Sequence, residues 1–132
     1  MAKWAHADVL DHGLAYLKTN TNKLALISDY AAGDSYATVT AKILAEVTTS
    51  STNFTLGNGA SNSRTLVNDA GLTDSAANAG NTAGTGNLNH FVFLDTTGSK
   101  VLAATDESSN QDIYSGNPIE FPVLTFTAPQ PV

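Results

Sequence analysis

The tightest constraint on this chain is an unbroken apolar run, His90-Phe91-Val92-Phe93-Leu94. A turn, Asp95-Thr96-Thr97-Gly98-Ser99, follows it, and then a second apolar run from Val101 to Thr105. The first run is too short for a typical helix, and two such runs around a turn predict a β-hairpin. Gly98 is free to take a positive φ in that turn. Farther on, Ile119, Phe121 and Val123 alternate with Glu120 and Pro122, the period of a strand with one buried face. Most large apolar side chains of the C-terminal half lie in these three runs. They read as scaffold, with no group suited to chemistry.

The N-terminal half predicts one helix, from about Ala7 to Lys18. Val9, Leu10, Leu14 and Leu17 gather on one side of it, and Asp8 and Lys18 suit the two ends of the helix dipole. Gly13 weakens it by roughly 1 kcal/mol relative to Ala, and Thr19-Asn20-Thr21-Asn22 stops it. A lone helix of this length is marginal in water, so its stripe docks on the sheet or on a partner.

Strands are predicted at Lys23–Asp29, Lys42–Thr48, Thr52–Leu56 and Arg64–Asn68, with Gly57-Asn58-Gly59 as a turn. The start of the Ala37–Ser50 stretch is open between helical turn and strand. Gly71 to Gly86 has almost no large side chain. It reads as a long loop, exposed or draped over a neighbour, with disorder in isolation as the alternative. Ala128 to Val132 is an extended, proline-containing tail.

One helix and about seven short strands predict a mainly β fold, one domain over residues 1–132. The expected architecture is a two-sheet antiparallel β-sandwich with one N-terminal α-helix. Jelly-roll-like and immunoglobulin-like connectivities are equally open.

Composition bounds the function. The 132 residues are 42% hydrophobic and only 14% charged, with a formal net charge of −6. Nucleic-acid binders carry a basic patch; here Lys3, Lys18, Lys23, Lys42, Arg64 and Lys100 are scattered, which argues against such a partner. No apolar run approaches the roughly 20 residues needed to cross a bilayer. The start of the sequence lacks the apolar core of a signal peptide, so synthesis in the cytoplasm is expected. Without cysteine there is no disulfide and no thiolate metal site.

Candidate chemistry fails site by site. Asp8 and His12 share a helix face, but nothing supplies a third metal ligand. His90 reads as a core or strand-end residue. Asp106 to Asp112 has a calcium-loop flavour, yet Gln111 stands where that loop needs Gly and Asn117 where it needs Glu. There is no G-x-S-x-G elbow and no phosphate-binding glycine pattern. The chain is therefore expected not to be an enzyme and to need no cofactor. The aromatics remain: Trp4, Tyr16, Tyr30 and Tyr36 form either a partner interface or a small core between helix and sheet.

Two stretches carry a family resemblance. W-A-x-x-D-V-L-D-x-x-L-x-Y-L-K-T-N-x-x-x-L (Trp4 to Leu24) resembles the opening of small structural proteins encoded among tailed-bacteriophage head genes. N-H-F-V-F-L-D-T-T-x-S-K-V-L-A-A-T (Asn89 to Thr105) and S-G-N-P-I-E-F-P (Ser115 to Pro122) resemble the same group. The middle, Thr49 to Gly86, carries no resemblance, and the group has no catalytic motif to transfer. The resemblance implies a virion protein of the capsid decoration, or cement, type on the capsid exterior. Its implied partners are the major capsid protein and further copies of itself, as homodimer or homotrimer. Trp4, Tyr16, Tyr30, Tyr36, Pro129 and Pro131 are the candidate interface residues. A neck or tail connector (completion) protein is the alternative within the virion. A carbohydrate-binding or adhesin module is the alternative of another class.

Overall fold

The computed structural model describes residues 4–5, 7–60, 63–81, 89–106 and 111–128, with backbone alone for those up to residue 12. Among the described residues the fold is mainly β, with antiparallel sheets and two α-helices. The hairpin anchors it: β7 (His90–Asp95) pairs with β8 (Lys100–Asp106), and β2 (Lys23–Ile27) flanks β7 on its other side. With β1 (Trp4–Ala5) beyond β8 and β3 (Ile43–Thr48) beyond β2, they form a five-stranded sheet in the order β1-β8-β7-β2-β3. A three-stranded sheet comprises β4 (Phe54–Asn58), β5 (Arg64–Asn68) and β10 (Thr125–Ala128), with β5 central. β6 (Thr73–Asp74) and β9 (Ile119–Glu120) make a two-stranded ribbon. That is one sheet more than the sequence suggested.

Every residue of β7 is buried, because the large sheet is covered on both faces. Leu24, Leu26, Phe91, Phe93 and Leu102 belong to one core, which also holds Leu17, Phe54, Leu66 and Phe121. Ala25, Ile27, Val92, Leu94 and Ala104 belong to a second core with Tyr30 and Val39. Period-2 alternation along β2 and β7 sorts the side chains between the two. On the first face the rings of Phe54 and Phe126 meet Phe93, at centroid distances of 5.8 and 5.0 Å.

Helix α1 (Ala7–Asn20) extends the predicted helix by two residues and is kinked at Gly13, where φ is 69° and ψ −159°. No L-residue with a side chain adopts that conformation readily, so Gly13 divides the helix instead of merely weakening it. Thr21 ends the helix: its N–H and hydroxyl both donate to the Leu17 carbonyl, at 3.1 and 2.7 Å. Leu17 is fully buried, and the helix lies against strands of both larger sheets. Lys18 does more than face the helix dipole. Its Nζ donates to the carbonyls of Ser51 and Phe54, each at 2.6 Å, tying the helix to β4.

The second face is covered by residues 28–42, including a second helix, α2 (Tyr36–Thr40). The open reading of that stretch thus resolves as helix followed by strand. Ser35 caps α2, its hydroxyl accepting from the Thr38 N–H at 3.1 Å, and Val39 carries the buried contact.

Four local expectations are corrected. Ser51–Asn53 is a 3₁₀ turn, closed by reciprocal Ser50–Asn53 bonds, so the strand there begins only at Phe54. Gly57 and Asn58 are paired strand residues, and the turn falls beyond them, where the Gly59 N–H donates to the Ser63 carbonyl. In the hairpin turn the positive φ belongs to Ser99, at 55°. Gly98 is needed there for space: its N–H donates to Asp95 Oδ1 at 2.9 Å, and a Cβ would lie 2.8 Å from Asp95 Oδ2. Finally, Phe121 is buried but Val123 is 51% exposed, so the alternation stops at Phe121.

The described part of the glycine- and alanine-rich loop is anchored. Asn78 and Ala79 donate backbone N–H groups to the Leu44 carbonyl, and Asp74 Oδ2 accepts from the Glu46 N–H at 2.9 Å. These bonds cover the outer edge of β3. Residues 111–117 hold the loop from the other side, through the Asn81–Ile113 bridge and reciprocal Ala77–Asn117 and Gly116–Ala77 bonds. Ala77 is buried in the core. Small side chains let the backbone itself approach: a Cβ on Gly80 would sit 2.9 Å from the Ile113 carbonyl oxygen.

Candidate interaction surface

Of the predicted interface residues, Tyr16 lies on one face of the five-stranded sheet and Tyr30 and Tyr36 on the other. Trp4 lies on β1, in register with Ala104 of β8. Tyr16 is half-buried on α1 beside the first core, with Lys100 Nζ 3.3 Å from its hydroxyl. Tyr30 and Tyr36 pack against the second core, on the opposite face of the five-stranded sheet. Tyr30 is buried and Tyr36 half-buried, so their rings serve mainly as cover for β2, β7 and β8. Pro129 and Pro131 lie outside the described residues, as do the tail beyond Ala128, residues 82–86 of the loop and the middle of the Asp106–Asp112 segment.

Tyr30 occupies a place of some chemical interest. Its ring is 5.9 Å from that of His90, a buried residue at the start of β7. The Tyr30 hydroxyl is buried without a hydrogen bond of ordinary geometry. Burial pushes its phenol pKa above the ordinary 10.0, and the Asp34 carboxylate adds to the effect; the nearby Gly33 N–H offsets only part. Next to it Lys42 Nζ bridges Asp29 at 2.6 Å and Asp34 at 3.5 Å. The Asp29 bond raises the Lys42 pKa above its ordinary 10.5, despite some desolvation. These charges staple residues 29–42 over the sheet.

Both shifts have the same consequence. A pKa raised on folding contributes stability that is present below the unfolded value and lost as pH rises through the folded one. The protein is therefore expected to lose stability above about pH 10. Tyr30→Phe removes an unpartnered hydroxyl and is expected to be neutral or stabilising by up to about 1 kcal/mol at pH 7. It should also flatten the alkaline limb and leave the Lys42 part, as read by urea unfolding at pH 7 and pH 10.5. A destabilised Tyr30→Phe variant at pH 7 would mean that the hydroxyl has a partner.

A surface that the sequence reading passed over lies between residues 111 and 128. Tyr114 and Val123 are the large hydrophobics most exposed among the described residues, at 54% and 51%. Pro118 and Pro122 are exposed between them, and residues 121–128 carry no charge. Tyr114 belongs to a Tyr-Ser-Gly-Asn turn, where Gly116 takes φ 86°. Turn chemistry at residues 114–117 was the available signal for Tyr114. Val123 was hidden by the apparent alternation.

Asn68 fixes the geometry of this segment. Its side chain, 3% exposed, donates from Nδ2 to the Pro122 carbonyl at 2.9 Å and accepts from the Leu124 N–H at 2.6 Å. One amide thereby replaces the ladder partner where the chain leaves β9 and before it joins β5 as β10. The segment exposes the apolar side chains of Tyr114, Pro118, Pro122 and Val123.

Among the described residues, no group of three or more His, Cys, Asp or Glu side chains could hold a metal ion, and no helix is long and apolar enough to cross a membrane. No protein-family model matches the chain, and no curated protein and no solved structure matches it.

Proposed function

We propose that this chain is a non-enzymatic structural protein of a tailed-bacteriophage virion, of the capsid decoration or cement type. It would be made in the host cytoplasm and bind the outside of the major capsid lattice. The observation that carries the reading is the two-ended resemblance, Trp4 to Leu24 at one end and Asn89 to Thr105 with Ser115 to Pro122 at the other. The exposed, mostly neutral 114–128 segment supports it as a surface suited to lying along another protein. The finer architecture belongs to the same proposal: the five- and three-stranded sheets, in contact through Phe54, Phe93 and Phe126, are the two layers of a β-sandwich.

The mechanism is mass action. A protein that binds the assembled shell and not its separated subunits stabilises the shell, by about 2.7 kcal/mol per site at a free concentration 100 times Kd. Repetition over a symmetric shell lets each contact be modest. Mixing the purified protein with undecorated, expanded capsids is expected to give saturable, stoichiometric co-sedimentation and a higher shell melting temperature. Absence of binding to expanded capsids overturns the proposal.

A further inference from the structure

The outer edge of β10 has no paired strand among the described residues. The bonds from the Gly59 N–H to the Ser63 carbonyl and from the Asp69 N–H to the Asn53 carbonyl bracket the β4–β5 ladder. They fix its phase: odd-numbered β5 residues exchange bonds with β4, so even-numbered ones face β10. In the β5–β10 register, Leu66 stands opposite Phe126 and Arg64 opposite Ala128. Phe126 and Ala128 therefore bond β5. The N–H and C=O groups of Thr125 and Thr127 point away from the sheet, and no partner for them is present among the described residues.

Proteins ordinarily protect such an edge with lysine, an inward charge, a bulge or proline. β10 has none of these within Thr125–Ala128, and its threonines and phenylalanine favour a strand. Thr125 and Thr127 are exposed, and Phe126 is only half-buried although its ring packs on Phe93.

We propose that this edge pairs with the same edge of a second copy, joining two three-stranded sheets across a two-fold axis at Phe126. Thr-Phe-Thr reads the same in both directions. An antiparallel copy centred on Phe126 places Thr125 opposite Thr127 of the second copy, and all outward backbone groups of the two threonines find partners. The threonine side chains pair on the solvent face, and the two Phe126 rings come together on the core face at the closely spaced, non-bonded position. The self-complementary register selects this occupant, and the uncharged edge lets two chains of net charge −6 meet there without opposing carboxylates. The pairing is isologous and closes at two copies. It concerns the free protein and stands apart from the capsid reading.

Sedimentation-velocity analysis of the full chain over a range of concentrations tests it. The wild type is expected to be a concentration-dependent dimer of the 13.7 kDa chain. Thr127→Pro removes an outward N–H that β5 does not use, so the fold is retained by circular dichroism. The dimer dissociation constant should rise about tenfold or more, because the two-fold removes the bond on both sides. Thr125→Lys is the second variant, placing a charge beside the axis without touching the β5 ladder; it should also give monomer. Amide exchange at Thr125 and Thr127 should slow as the wild-type concentration rises. A wild type that stays monomeric, a closed trimer, or dimerisation unchanged in both folded variants overturns the proposal.

Discussion

Phe93→Ala is expected to lower the stability by about 3–5 kcal/mol, the cost of emptying a well-packed aromatic site. Phe93 is 1% exposed, on the central strand of the larger sheet. Its ring touches Phe54 at a tilt of 39° and Phe126 edge-on at 80°. Removing it opens a cavity where strands of both larger sheets meet. Stabilities of domains this size run to about 5–15 kcal/mol, so the variant loses a large share of the total. A double-mutant cycle with Phe126→Ala should return a coupling of about 0.5–1.5 kcal/mol, because the two rings share one contact. Urea unfolding of the four proteins measures both quantities. A loss below about 1 kcal/mol for Phe93→Ala would mean that the small sheet does not rest on this ring.

Asn68→Ala is expected to cost about 2–3 kcal/mol for a different reason. The Pro122 carbonyl and the Leu124 N–H lose their partner together, and unmade bonds at part-buried sites cost more than formed ones contribute. Asn68→Asp separates the two bonds. Its carboxylate still accepts from the Leu124 N–H but faces the Pro122 carbonyl with no proton to donate. At pH 7 it should be as damaging as Ala. That carboxyl would have a folded pKa above its unfolded value, so stability should return as pH falls through the carboxyl range and the protonated group donates again. Thermal melts at pH 7 and pH 4 read the difference. Little loss at either pH would show that only the bond to Leu124 matters.

These two residues also show what the sequence could and could not reveal. Phe93 was legible: five apolar residues in a row, followed by a turn, announce a buried strand of a hairpin. Lys23–Ile27, Ile43–Thr48 and Arg64–Asn68 were legible for the same local reasons of alternation and β-branched content. Asn68 was not, because its role depends on a segment 54 residues away. That long-range amide is also why Val123 is exposed: the strand period ends where Asn68 substitutes for a ladder partner. The Gly71–Gly86 loop was read from its small side chains, which do predict a weak apolar core. Its described part is held instead by backbone bonds to Leu44, Ile113 and Asn117, which composition does not encode.

The aromatic set divides for a topological reason. Tyr16, Tyr30 and Tyr36 are near one another in sequence, yet β2 passes between Tyr16 and the other two, and they cover opposite faces of one sheet. The exposed aromatic is instead Tyr114, in the turn at residues 114–117.

The central claim is that this chain coats a capsid, and the number of copies on an intact particle tests it most directly. Quantitative mass spectrometry of purified virions, referenced to the major capsid protein, should find hundreds of copies in fixed proportion to that protein. A ring-sized handful of copies would place the chain at the neck or tail, and its absence from the particle would contradict the virion reading altogether.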